Sequence, residues 1–123
     1  MSTRSRIGIS RADGTIISIY SHWDGYPKGV GATLKKYYKN SAKILQLMEL
    51  GDISVLGKNI GTKHSFEIAS ETDETTAYGR DRGEKGVEAQ ISKSLEDFVK
   101  LADNSGAEYA YLWEKGKWKT MKI

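Results

Sequence analysis

His22 and Asp24 are the first residues in this sequence that can be drawn doing chemistry together. Two positions apart in an extended segment, their side chains leave the same side, so a carboxylate-oriented imidazole acting as a general base is a geometric option. A hydrogen-bonded, purely structural imidazole is the competing reading of His22. Asp24 and His22 are the weak catalytic candidates of the chain. His64 is the other histidine, and no HxxxH, HxH or His/Cys spacing joins it to a ligand set. The sequence therefore predicts neither a metal centre nor a cofactor.

The same pair sits in Tyr20-Ser21-His22-Trp23-Asp24-Gly25-Tyr26-Pro27-Lys28-Gly29-Val30-Gly31, which gathers three aromatic residues, three glycines and the one proline of the chain. Turn-rich segments of this kind are where binding groups usually lie. Gly29 and Gly31 can let backbone N–H groups approach an anion at the start of a helix expected near Ala32, with Lys28 adding charge and Thr33 a hydroxyl. Tyr20, Trp23 and Tyr26 would offer ring faces. Against this stands a plain packing role, in which Trp23 and Tyr26 cap the edge of the core while Pro27 and the glycines shape the turn. Neither a Walker loop nor a dinucleotide fingerprint is present.

Tyr78-Gly79-Arg80-Asp81-Arg82-Gly83-Glu84 is the second unusual segment. Arg80 and Arg82 can fork onto phosphate oxygens, and Tyr78 can stack on a base. The alternative is a solvated loop in which the arginines pair with Asp81 and Glu84, each exposed pair contributing at most about 1 kcal/mol. Trp113 and Trp118 are accounted for by cross-strand packing, and Lys115, Lys117, Lys119 and Lys122 by the wet face of an edge strand.

The elements that must position these groups follow from periodicity. Ser5 to Arg11 and Thr15 to Tyr20 alternate β-branched residues around Ala12-Asp13-Gly14, a hairpin signal. Helices are expected from Ala32 to Tyr38 and from Ala42 to Leu50, the second capped at Asn40-Ser41 and closed by Gly51. Asp52 to Leu56 reads as a single turn, His64 to Ile68 and Val87 to Ile91 as short strands, and Glu71 to Thr75 as an acidic polar run. Ser94 opens a helix with Asp97 at the third position after the cap. Tyr109 to Trp113 and Lys117 to Lys122 form a second hairpin. The whole chain, 1–123, is thus expected to be one α+β domain: a largely antiparallel sheet built from N- and C-terminal hairpins, with about three helices on one face.

Composition narrows the function classes. With 123 residues, 38% hydrophobic and 28% charged, the chain has the make-up of a soluble globular domain. It lacks an apolar run of the roughly 20 residues a membrane helix needs, and its first residues carry charge without the apolar stretch of a secretory signal. The absence of cysteine removes disulfides and thiol nucleophiles and fits a reducing cytoplasm. A net charge of +3 permits an anionic partner but is short of a dedicated duplex-DNA face.

The segments Ser5-Arg6-Ile7-Gly8-Ile9, Asp13-Gly14-Thr15, Ile19 to Pro27, Gly29-Val30-Gly31, Leu50 to Ser54, His64-Ser65-Phe66, Tyr78 to Glu84 and Glu108 to Trp113 together resemble a family of small bacteriophage- and prophage-encoded proteins carrying a His-Trp-Asp-Gly-Tyr-Pro motif. Ser21 departs from the pattern, since a cysteine is expected there in many relatives, and thiol chemistry is then not the basis of the role. What the resemblance implies is an accessory protein that antagonises host antiviral defence by binding without turnover. The favoured form sequesters a cyclic nucleotide immune signal, as a sponge, on Tyr20, His22, Trp23, Tyr26, Lys28, Gly29, Gly31, Thr33, Tyr78, Arg80 and Arg82, within a homo-oligomer. The alternatives are a protein–protein inhibitor of a host effector such as a CRISPR nuclease complex and, more weakly, a small phosphodiesterase.

Overall fold

The computed structural model describes residues 2–66 and 73–123. Glu67 and Ile68 of the expected strand, and Glu71 and Thr72 of the acidic run, lie outside the described residues. The elements are β1 (Ser5–Ser10), β2 (Ile16–Ser21), a π-helical turn Pro27–Gly31 running into α1 (Ala32–Tyr37), α2 (Ser41–Leu50), β3 (Ile53–Val55), β4 (Thr76–Ala77), α3 (Tyr78–Arg82), β5 (Gln90–Ser92), α4 (Leu95–Asn104), β6 (Tyr109–Glu114) and β7 (Lys117–Lys122).

One seven-stranded mixed sheet runs β4-β3-β2-β1-β6-β7, with β5 joined to β2 off this path. The two expected hairpins are present as β1–β2 and β6–β7, each antiparallel, and they lie side by side through a parallel β1–β6 ladder. The free edge of β2 is divided: β5 pairs with Ile16 to Ser18, and β3 pairs in parallel at Ser21. The fold is α+β, dominated by its sheet.

Alternation along the central strands fills two cores. Ile7, Ile9, Ile19 and Tyr111 face α1 and α2, where Leu34, Tyr38, Ile44 and Leu47 close over them. Ile16, Ala110 and Leu112 face Phe98 and Ala102 of α4. The helices therefore cover both faces of the sheet, α4 standing opposite α1 and α2. Gly8 makes that approach possible, because a Cβ there would sit 3.0 Å from both Ile16 Cγ2 and Phe98 Cε1. Both expected caps form: Asn40 Oδ1 accepts from Lys43 N at 2.8 Å, and Ser94 Oγ accepts from Asp97 N at 3.2 Å.

Three local expectations shift. Residues 53–55 form a strand and not a turn, because Ile53 pairs with Ser21 and with Ala77 and buries completely. The strand expected at 87–91 is centred instead on Gln90–Ser92. The first helix begins at Pro27, five residues earlier than expected, with proline at the position where a missing N–H costs nothing.

Candidate functional site

β3 brings the two unusual segments together. The backbone N–H groups of His22 and Trp23 donate to Ile53 O and Ser54 O, at 3.2 and 3.1 Å. On the other side of β3, Tyr78 N donates to Asp52 O at 3.3 Å, and the Tyr78 hydroxyl meets the Ser54 side chain. Asp52 also reaches across, its Oδ1 accepting from Tyr20 N at 2.9 Å. Asp52 and Ser54 thus tie Tyr20, His22 and Trp23 to Tyr78, on the part of the sheet face that lies beyond the end of α4.

His22 does not pair with Asp24. Its Nδ1 meets the Tyr20 hydroxyl at 2.8 Å, and its ring lies edge-on to Trp23 with centroids 4.9 Å apart. Asp24 takes a left-handed backbone (φ 56), which carries its carboxylate round to the Tyr26 hydroxyl at 3.3 Å. That turn breaks the extended geometry on which the expected dyad depended. Burial, reinforced by the positive charge of Arg4, lowers the His22 pKa, so the imidazole is neutral at pH 7. Burial also raises the phenol pKa of Tyr20 and of Tyr78, and both keep their protons.

The two arginines of α3 part company. Arg80 turns inward: Nε and Nη2 hold the Asp81 carboxylate at 3.0 and 3.1 Å, Nη1 donates to Ile60 O at 2.8 Å and Gly61 O at 3.2 Å, and Nη2 also donates to Thr75 O. Arg82 turns outward. Its guanidinium carbon lies 4.5 Å from the Phe66 ring centroid and 5.0 Å from that of Tyr78, while Glu84 Oε2 accepts from Nε at 2.9 Å. Phe66, within the short strand expected at His64 to Ile68, is half-buried and stands 5.6 Å from Tyr78, ring to ring.

The glycine half of the first segment sits elsewhere. The amides of Gly29, Val30 and Gly31 already donate to Tyr26 O, Asp24 O and Tyr26 O. Gly31 lies against the Tyr111 ring on the α1–α2 face, and the Tyr111 hydroxyl donates to Gly25 O at 2.6 Å. An anion cradle of Gly29 and Gly31 N–H groups with Lys28 and Thr33 therefore lacks open backbone donors in this state, because the helix starts before the glycines and uses them. Gly25 is pinned equally tightly: a Cβ there would fall 2.8 Å from Arg4 C and Ser5 Cβ.

Two basic residues belong to the site and were not singled out in the sequence. Arg4 is exposed beside Tyr20 and His22, close enough for its charge to act on both. Arg6 is buried under the end of α4, where Nε donates to Ser18 Oγ at 2.9 Å and Nη1 to Ser105 Oγ at 3.3 Å. The register of the first hairpin, with Arg6 opposite Tyr20, was the available signal. A cavity of about 820 Å³ opens on the opposite side of α3, between α2 and the segment before β5. Glu49, Glu84 and Glu88 line it with Arg80, so its walls repel phosphate. Among the described residues no cluster of histidine and carboxylate side chains has the arrangement of a metal site, and no helix is long and apolar enough to cross a membrane. No family model matches the chain, and no curated protein or solved structure is significantly similar to it.

Proposed function

We propose that this protein binds a nucleotide without turning it over, on the surface made by Arg4, Tyr20, His22, Trp23, Phe66, Tyr78 and Arg82. The observation that carries the reading is the convergence of two aromatic groups on β3, with the Arg82 guanidinium lying over two rings at 4.5 and 5.0 Å. Ring faces take a base at about 1–3 kcal/mol each, and arginines at either end of the surface suit phosphate oxygens. Arg82 would exchange Glu84 for the ligand, a small loss because the pair is half-exposed. Binding without chemistry is favoured because His22 is held by a tyrosine and not by a carboxylate, which leaves the imidazole without the partner that would make it a stronger base. Arg80 leaves the ligand set under this reading and becomes its brace. A second copy of the chain would close the open face over a cyclic oligonucleotide, and the phage context suggested by the motif makes an immune signal the natural cargo.

The test is to mix the purified chain with cyclic oligonucleotides, remove free ligand, heat, and identify what is released. Intact ligand supports the reading, and cleaved product replaces it with the phosphodiesterase. Arg82→Ala or Tyr78→Ala should lower affinity at least tenfold with the melting temperature nearly unchanged. Trp23 and Tyr26, exposed at 43% and 42%, favour a second reading, an aromatic hot spot for a host effector. Recovery of a defined host complex with the chain, lost in Trp23→Ala, together with no retained nucleotide, would establish that reading instead.

A further inference from the structure

The other face of the sheet carries a basic groove that the first site does not use. It lies between α1 and the β6–β7 hairpin, has a volume of about 380 Å³, and is lined by Lys35, Lys39, Trp113, Gly116, Lys117 and Trp118. We propose that it is a second binding site, independent of the first, for a single nucleoside phosphate, whether free or as one residue of a single strand.

Three observations carry this. The first is charge. Lys35 and Lys39 come from α1 and the residues just after it, Lys117 comes from β7 far along the chain, and no carboxylate is among the lining residues. Among the described residues none of the three makes an ion pair. Glu114, at the end of β6, is committed to Lys119 Nζ at 2.6 Å. Three lysines along one recess bring like charges near one another, and an anion relieves their repulsion. The contrast with the glutamate-lined cavity beside α3 is direct, since in a chain of net charge only +3 these two recesses differ in the sign of most of their charged lining.

The second observation is preorganisation. Trp113 and Trp118 face each other across the hairpin with centroids 5.4 Å apart at 63°, and Trp118 Nε1 donates to Tyr38 O at 2.8 Å. That bond fixes the indole before any ligand arrives, so little ordering remains to be done on binding. Cross-strand packing accounts for the pair but not for the lysines gathered around it. Indole faces accept a base by stacking, and lysine serves phosphate as a point charge. The third is size, because small-ligand sites span about 300–1,000 Å³ and this groove is at the low end, with room for one nucleotide and not for a cyclic dinucleotide.

The test uses the full chain with Trp23→Phe, so that Trp113 and Trp118 alone report by fluorescence. Adenosine 5′-monophosphate and a short single-stranded oligodeoxyadenylate are titrated, with ribose 5-phosphate as the ring-free control. Saturable quenching by either adenine ligand supports the site, and the tighter of the two identifies its source. Lys35→Ala with Lys39→Ala should weaken binding at least tenfold. Both lysines are exposed, so the double variant keeps its fold, and Lys117→Ala serves as a second check. Arg82→Ala, which disables the first site, should leave this binding unchanged, so either proposal can fail alone. No quenching by either ligand, an undiminished affinity in the lysine variants, or equal binding of ribose 5-phosphate would overturn it.

Discussion

Arg80 and Arg82 stand two residues apart on one short helix and live in different worlds. Arg80 faces Asp81, whose side chain is fully buried, and spends its donors on that carboxylate and on the carbonyls of Ile60, Gly61 and Thr75. Arg82 faces solvent over two rings and is held by one half-exposed glutamate. Chemically identical groups have been divided between holding the fold and presenting a surface. The deciding factor is what a guanidinium meets when α3 turns it, and the sequence Arg-Asp-Arg does not encode that.

The largest expected effect tests the inward half. Arg80→Ala leaves the Asp81 carboxylate buried without its cation and three carbonyls without a donor, and should destabilise the protein by about 3 kcal/mol in urea denaturation. Arg80→Lys should recover only part of this, because an ammonium cannot reproduce the fork. If Arg80→Ala melts like the parent, the division between the two arginines does not exist.

The same carboxylate gives a pH signature. Burial works to raise the Asp81 pKa, but hydrogen bonds from Arg80, Ala77 N and His64 N, with the charge of Arg80, outweigh it and leave the pKa below its ordinary value of 3.8. A depressed carboxylate contributes stability that is complete above its unfolded pKa and is lost as pH falls through the folded one. Stability should therefore decline from near pH 4 downward, and Asp81→Asn should be less stable at pH 7 with a flatter profile below pH 4. Asp52 works in the opposite sense, since burial raises its pKa and protonation relieves a cost.

Next in size is Tyr111→Phe. The buried phenol donates to Gly25 O across the core, and its removal orphans that carbonyl, at a cost of about 1–2 kcal/mol. Hydrogen exchange in residues 24–31 should quicken. Arg82→Ala, by comparison, should change stability by no more than about 0.5 kcal/mol while weakening cyclic-oligonucleotide binding at the first site at least tenfold, which sets its outward role against that of Arg80 by a difference in kind.

How much of this was legible depended on how local its cause was. Asp13-Gly14 and Lys115-Gly116 announce hairpins, and Asn40 and Ser94 announce helix starts, because turn and cap chemistry acts within four residues. β3 was read as a turn because three residues carry no period, and its strand character comes from Ser21 and Ala77, far away in sequence. The position of α4 was equally non-local, since it depends on Gly8 being small where Phe98 arrives. At the candidate site, the two unusual segments were visible from their composition. Their pairings were not, because His22 chose Tyr20 over Asp24 through one left-handed residue, and Phe66 and Arg4 joined only through tertiary placement.

The serines of β2 carry the comparison to a third kind of polar group, buried but unpartnered. Ser18 and Ser21 are both fully buried in β2. Ser18 Oγ accepts from Arg6 Nε at 2.9 Å, whereas among the described residues Ser21 Oγ, like Ser5 Oγ directly opposite it, has no hydrogen-bond partner. Ser18→Ala strips an acceptor from a buried guanidinium and should cost about 1–3 kcal/mol. Ser21→Ala removes a desolvated hydroxyl that gains nothing from burial, and should be neutral or stabilise by up to about 1 kcal/mol. Ser21→Cys should behave likewise, since a thiol is a small apolar group with little need of a partner. Opposite signs for two serines three residues apart in one strand, read from paired denaturation curves, would show that partnering and not burial decides what a polar side chain is worth here. Equal losses at both positions would mean that Ser21 has a partner after all, and that the boundary between committed and idle groups is drawn in the wrong place.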